Sequence, residues 1–227
     1  IFYAYALEQL MLERYTPRVI VLDLLPNYVT RAESAEEELG RMSSMAPYAD
    51  HPVIASLLTG GQRNEKIKLR SRLYRYNSRL LSLASNYFNR PGVTDNGFVP
   101  IGKTKFRALH DFPDNLDPNP APVYDPRRIE VLKAFIRSAR DKGALVVLAF
   151  SPTVQPLSPK VEQILAWYED LARSMDTPFI KITSAEYPQF LDQNLYSDLI
   201  HMNEPGGRAY TPIFVNKLKS IIASTCH

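Results

Sequence analysis

The chain has 227 residues, of which 45% are hydrophobic and 22% are charged, and its formal net charge is +3. These proportions are those of an ordinary globular protein, so extensive disorder, collagen and coiled coil are excluded. The small net charge gives no general reason to expect nucleic acid as a partner. The single cysteine, Cys226, allows neither an intramolecular disulfide nor a cysteine-based metal site.

The first elements of the chain predict a helix followed by a strand. Residues 3–15 carry apolar side chains at helical spacing, which indicates an amphipathic helix. Residues 18–25, RVIVLDLL, form an aliphatic run that Pro26 ends. Such a run is typical of a strand buried on both faces of a parallel sheet.

The same alternation of helix and strand returns in the second half of the chain. A helix is predicted at 126–142 before a strand at 144–150, and another helix at 158–174 before a strand at 178–182. A last amphipathic helix is expected at about 204–224. Repeated helix–strand units favour a three-layer α/β fold, in which helices flank a mostly parallel sheet of the flavodoxin-like kind.

We predict one α/β domain over residues 1–227, with an insertion at 31–126. The insertion is expected to contain a helix at 62–87 and an irregular, proline-rich loop at 88–126. No apolar run approaches the roughly 20 residues that a membrane-spanning helix needs, so no transmembrane segment is predicted.

Part of the predicted insertion helix, residues 62–79, is strongly basic. Its cationic side chains are Arg63, Lys66, Lys68, Arg70, Arg72, Arg75 and Arg79. One interpretation is a solvated helix face, and the other is a binding face for an anionic polymer or a membrane surface. The sequence leaves both open.

An Asp and a His lie three residues apart near the end of the chain, at Asp198 and His201. In a helical turn this spacing brings the two side chains together. The carboxylate can then accept the Nδ1 proton of the imidazole, which leaves Nε2 free to act as a base. The alternative is a capping or surface pair, because D-x-x-H also occurs by chance.

The segment DLIHMNEPGGRAYTPIFVNKL resembles the last signature of the SGNH (GDSL-type) hydrolases, and among them the relatives of cell-envelope polysaccharide O-acetyltransferases. The resemblance implies that His201 is the general base and that Asp198 orients it. It further implies an acylated saccharide or other small ester as substrate, no cofactor, and a location that is periplasmic, in the cell envelope, or secreted.

The resemblance extends to the turn Leu25-Pro26-Asn27-Tyr28, where the family places an oxyanion-hole asparagine after a strand. It implies this role for Asn27, whose alternative is a turn residue after Pro26. The family's nucleophilic serine, in Gly-Asp-Ser or Gly-Ser-Ser, does not occur in this sequence. We expect it in a segment before Ile1, or else lost from an inactive protein.

Ser151 is a weak alternative nucleophile, because it directly follows the strand at 144–150 and would lie at the carboxyl edge of the sheet. A turn serine is the other interpretation, since no G-x-S-x-G motif surrounds it. No metal site is predicted, because His110 with Asp111 and Asp114 has no specific ligand spacing.

The sequence therefore predicts an SGNH-like esterase or acyl transferase that acts on an acylated cell-envelope saccharide. The competing hypothesis is an inactive module that binds an anionic glycan or a protein partner. If the site exists, Asn27 and His201 should line one cleft, with Asp198 within hydrogen-bond distance of His201 Nδ1. Ser151 should be nearby without a hydrogen bond to His201.

Overall fold

The computed structural model describes residues 1–31, 42–60, 63–76 and 121–225. These residues divide into two compact units. The first unit holds residues 1–18, 27–31, 42–60, 63–76 and 124–144, and the second holds residues 19–26, 121–123 and 145–225.

The first unit is helical. Its helices are α1 (Phe2–Leu12), α2 (Pro52–Thr59), α3 (Arg63–Lys68), α4 (Arg72–Tyr76) and α5 (Pro126–Asp141). Helices α1 and α5 pack against each other, as do α1 and α2. The predicted helices at 3–15 and 126–142 are thus present with slightly different ends.

Side chains at the helix starts explain where two of these helices begin. Asp125 caps α5 by accepting the backbone N–H of Arg127 at 2.9 Å, and proline follows the cap in each helix. The Nδ1 of His51 accepts the N–H of Val53 at 3.2 Å and caps α2. An acceptor before a proline satisfies the amide groups that the first turn leaves unpaired.

The predicted continuous helix at 62–87 is wrong in its described part, because α3 and α4 are separated at Leu69 to Ser71. The N–H of Ser71 bonds to Lys68 O at a turn spacing, and its hydroxyl accepts the N–H of Tyr74. The Leu69 carbonyl accepts a hydrogen bond from the side chain of Arg75, which lies in α4. Residues 77–120, with the rest of that helix and most of the loop at 88–126, lie outside the described residues.

The second unit contains a parallel sheet of three strands among its described residues: β1 (Val19–Asp23), β2 (Leu145–Phe150) and β3 (Phe179–Lys181). Both pairings are parallel, in the order β1-β2-β3. The central strand β2 is buried almost throughout, as its unbroken apolar run predicts. The predicted mixed α/β class and the pairing of the first two strands are confirmed.

Helix α7 (Glu204–Thr225) covers one face of this sheet. The strands contribute Val147 and Ile180, and Ile182 follows β3 directly. The helix contributes Tyr210, Ile213, Phe214, Leu218 and Ile221. Helix α6 (Pro159–Ser174) connects β2 to β3, and its buried Tyr168 donates to Leu25 O at 2.8 Å, just beyond β1. Within the described ranges, no helix is long and apolar enough to cross a membrane.

Candidate functional site

The Asp198–His201 pair lies in a short closed loop at the entrance to α7. Tyr196 and Met202 form an antiparallel bridge at the base of the loop, and the N–H of Ser197 donates to His201 O at 2.8 Å. The loop is therefore held by its own backbone, and the side chains of Asp198 and His201 project from it.

Asp198 is held in place by three hydrogen bonds. Its Oδ1 accepts the N–H groups of Ile200 at 2.9 Å and His201 at 2.8 Å, while Oδ2 lies 2.6 Å from His201 Nδ1. Partial burial by itself would raise the pKa of Asp198, but the two backbone N–H groups and the imidazole together lower it. The carboxylate consequently stays ionised at neutral pH and can orient the ring.

The predicted hydrogen bond between Asp198 and His201 Nδ1 is therefore present. Nε2 of His201 has no hydrogen-bond partner among the described residues, and 58% of the side chain is exposed. A carboxylate on Nδ1 fixes the tautomer in which Nε2 carries a lone pair. The pair can accept a proton at Nε2 from a molecule that approaches from solvent.

Buried contacts connect this loop to the start of α7. Asn203 caps the helix by accepting the N–H of Gly206 at 3.0 Å, and its amide donates back to Asn194 O at 2.7 Å. A Cβ at Gly206 would lie 2.0 Å from Leu195 O, so the close approach requires glycine. The sequence N-x-x-G therefore fixes where the Asp198–His201 loop sits on the second unit.

Ser151 lies at the carboxyl edge of the sheet, as predicted. Its hydroxyl forms hydrogen bonds with residues other than His201. Its Oγ lies 2.9 Å from Asp23 Oδ2 and 3.0 Å from the Tyr210 hydroxyl. We call these three residues the edge cluster. Asp23 ends β1, Ser151 directly follows β2, and Tyr210 lies on α7.

The sequence does not predict that Asp23, Ser151 and Tyr210 meet. An acidic residue inside the otherwise aliphatic run 18–25 was the available signal for Asp23, whereas Tyr210 carries none. Although Asp23 keeps solvent contact, protein packed around its carboxyl raises its pKa, and hydrogen bonds from Ser151 partly counteract this. Burial also raises the pKa of Tyr210 to about 12, so its hydroxyl stays protonated.

The loop after Ser151 touches the loop that carries His201. The hydroxyl of Tyr196 donates to Pro152 O at 3.3 Å, and the N–H of Val154 donates to Leu199 O at 3.4 Å. Ser151 and the Asp198–His201 pair therefore lie on neighbouring loops of the second unit. This is the carboxyl edge, where parallel sheets place their sites.

Asn27 belongs to the first unit and lies in a turn of 3-10 helix over Pro26–Tyr28. Its side chain is exposed and has no partner among the described residues, while its backbone carbonyl accepts Arg128 Nη1 at 2.7 Å. The turn is thus anchored through the main chain, which leaves the amide free. The cleft that Asn27 would share with His201 stays a prediction.

Across the parts of the chain that the structure describes, no three His, Cys, Asp or Glu side chains converge as a metal site. His110 lies outside those parts. Comparison of the chain with protein families, with curated proteins and with solved structures finds no match. The functional conclusion therefore depends on the geometry of the site.

Proposed function

We propose that the complete protein is an esterase or acyl transferase that uses His201 as general base. The observation that supports this most directly is the 2.6 Å contact between Asp198 and His201 Nδ1, with Nε2 unpartnered in the described residues. The proposal adopts the resemblance to SGNH hydrolases, with a three-layer fold, an acylated cell-envelope saccharide as substrate and a location in the envelope.

In the proposed reaction, a serine encoded before Ile1 attacks the ester carbonyl carbon while His201 Nε2 takes the hydroxyl proton. Asp198 stabilises the resulting imidazolium without taking its proton. The tetrahedral intermediate expels the alcohol, which receives that proton from His201, and an acyl-serine remains. Water or a sugar hydroxyl then attacks the acyl-serine carbonyl and gives its proton to His201. The second tetrahedral intermediate breaks the bond to the serine Oγ, which takes the proton back from His201 as the acid or the acylated sugar leaves.

In this proposal the Asn27 side-chain amide donates to the oxyanion of the tetrahedral intermediate. Its free amide and the anchored backbone of its turn support the role, because an oxyanion donor must be in place before charge develops. Loss of one such donor typically costs about 10² to 10³ in rate.

A second candidate is an inactive module that keeps the frame of the enzyme. One observation favours it: Ser151, the serine at the carboxyl edge, bonds to Asp23 and Tyr210 rather than to His201. If no serine precedes Ile1, the Asp198–His201 pair would have no nucleophile to activate.

Hydrolysis of p-nitrophenyl acetate by the full-length protein distinguishes the two candidates. Under the enzyme hypothesis, His201→Ala lowers kcat by about 10² to 10⁴, and Asp198→Asn lowers it by a smaller factor. Glu204→Gln, which removes an exposed carboxylate paired with Arg208 near the same loop, is the matched control and should leave the rate unchanged. Equal rates in wild type and His201→Ala would exclude His201 from the mechanism.

A further inference from the structure

A cavity of about 380 Å³ lies in the first unit, between helix α2 and the segment that contains α3 and α4. Its lining combines small, polar and cationic residues: Ala49, Pro52, Ala55, Ser56, Thr59, Lys66, Leu69, Arg70 and Arg75. None of the described residues that line it is acidic. The volume is at the lower end of the range for small-molecule sites, which suits a compact ligand.

Two of the three cations that line the cavity have no counter-ion among the residues that the structure describes. Arg75 is held by Asp50, with Nη1 2.8 Å from Oδ2, and by the Leu69 carbonyl. The side chains of Lys66 and Arg70 form no ion pair or hydrogen bond within the described residues. The neighbouring Lys68, by contrast, pairs with Glu65. Two cationic side chains of the cavity lining are thus available to bind an anion.

The rest of the lining suits a ligand with both a charged and an uncharged part. The hydroxyl of Ser56 has no partner in the described ranges and can donate. The buried Thr59 hydroxyl is already bound to Ser56 O at 3.3 Å. Leu69 and Ala49 are nearly buried and belong to a small apolar cluster, so they offer a nonpolar surface beside the cations.

We propose that this cavity binds an oxyanion, of the phosphate or sulfate type, carried on a compact ligand about the size of a monosaccharide. Arg70 and Lys66 bind the anionic group, because guanidinium and ammonium groups form charge-assisted hydrogen bonds with such oxygens. Ser56 and the apolar surface contact the uncharged part. This site lies in the first unit and does not depend on catalysis at His201.

An anionic polymer is the competing ligand, and the structure favours the compact one. A polymer site would need a continuous cationic face, but the predicted basic helix at 62–79 is interrupted at Leu69 to Ser71. The two unpaired cations, Lys66 and Arg70, instead meet at a concave surface. A concave site encloses a short ligand better than a long one.

Isothermal titration calorimetry of the full chain with glucose 6-phosphate, inorganic phosphate, sulfate and glucose tests the proposal. Glucose 6-phosphate should bind more tightly than either inorganic anion, and glucose should not bind measurably. Comparison of phosphate with sulfate identifies the preferred anionic group. Lys66→Gln and Arg70→Gln should each weaken glucose 6-phosphate binding by about tenfold or more.

Arg72→Gln is the matched control, because it removes one exposed positive charge from α4 and does not line the cavity. It should leave affinity for glucose 6-phosphate unchanged. Equal weakening by Arg72→Gln and Arg70→Gln would overturn the proposal in favour of general attraction to a basic surface. Binding of a sulfated oligosaccharide with no affinity for glucose 6-phosphate would overturn it in favour of the polymer. The absence of binding by glucose 6-phosphate, phosphate and sulfate alike would also overturn it.

Discussion

The hydroxyl of Ser151 lies 2.9 Å from Asp23 Oδ2, which joins the ends of adjacent strands across 128 positions of sequence. The Ser151 backbone also donates to the same carboxyl group. These bonds hold the carboxyl edge of the sheet together beside the loop that carries His201. They also identify Ser151 as part of the frame of the site rather than as the partner of His201.

Ser151→Ala should lower the free energy of unfolding by about 1 kcal/mol at pH 7, because Asp23 loses a hydrogen bond that its desolvated carboxylate needs. Urea unfolding measures this loss. Ser224→Ala, which removes a hydroxyl bound only to a helix carbonyl, is the control and should change stability much less. Under the proposed function the ester-hydrolysis rate stays within a few fold of wild type. A rate loss as large as that of His201→Ala would identify Ser151 as the nucleophile.

The buried carboxyl group of Glu8 should make the stability of the first unit depend on pH. The residue is 3% exposed; its Oε2 accepts a hydrogen bond from Ser138 Oγ at 2.8 Å, and its Oε1 has no partner in the described part of the chain. Burial raises the pKa of Glu8 from 4.5 to about 7, although hydrogen bonds from Ser138 and Gln9 oppose it. The folded state thus binds the proton more tightly than the unfolded chain, and this contribution to stability is lost as pH rises from about 4.5 to about 7.

Glu8→Gln should therefore gain stability relative to wild type as pH rises through that window, by on the order of 2 to 3 kcal/mol at pH 8. Thermal or urea unfolding at pH 4 and pH 8 provides the measurement. Glu162→Gln, at an exposed position on α6, is the control and should show no such gain. If the difference in stability between Glu8→Gln and wild type is the same at pH 4 and pH 8, the raised pKa of Glu8 is contradicted.

Substitutions at Gly206 and Gly207 test whether Leu195 packs against the start of α7, beside the loop that carries His201. Gly206→Ala should destabilise the protein by about 1 to 3 kcal/mol, because its Cβ would meet Leu195 O at 2.0 Å. Gly207→Ala meets nothing within 4 Å and should stabilise the helix by roughly 0.5 to 1 kcal/mol. Opposite signs in denaturant unfolding are the expected result. Equal effects at the two positions would mean that Leu195 does not pack against Gly206.

The Asp198–His201 contact can be observed without substrate. When the imidazole of the wild-type protein is neutral, nitrogen-15 NMR should show a hydrogen-bonded proton on Nδ1 and no proton on Nε2. Asp198→Asn should remove that signature, because an amide oxygen is a weaker acceptor than a carboxylate. The lowered pKa of Asp198 means that its ionised form, and its contribution to stability, should persist until the pH falls below the ordinary range for aspartate. A wild-type spectrum with the proton on Nε2 would contradict the structure.

Local pattern was enough to predict much of the second unit. The aliphatic runs at 18–25 and 144–150 predict strands, and helical spacing predicts the helices at 158–174 and 204–224. The Asp198–His201 contact was predictable for the same reason, since residues three apart in a turn meet without help from the rest of the chain. The expectation that the run at 18–25 is buried on both faces is wrong, because β1 exposes Val21 and Asp23, whereas β2 is buried almost throughout.

Tertiary structure alone decided the edge cluster, the break in the basic helix and the cavity beside it. Asp23 and Ser151 meet only because β1 and β2 pair in parallel in one particular register. The basic segment breaks at a turn where Arg75 binds the Leu69 carbonyl and Asp50, and no periodicity reveals those partners. Contacts between distant residues depend on how elements pack, whereas a sequence read locally specifies only what each element buries.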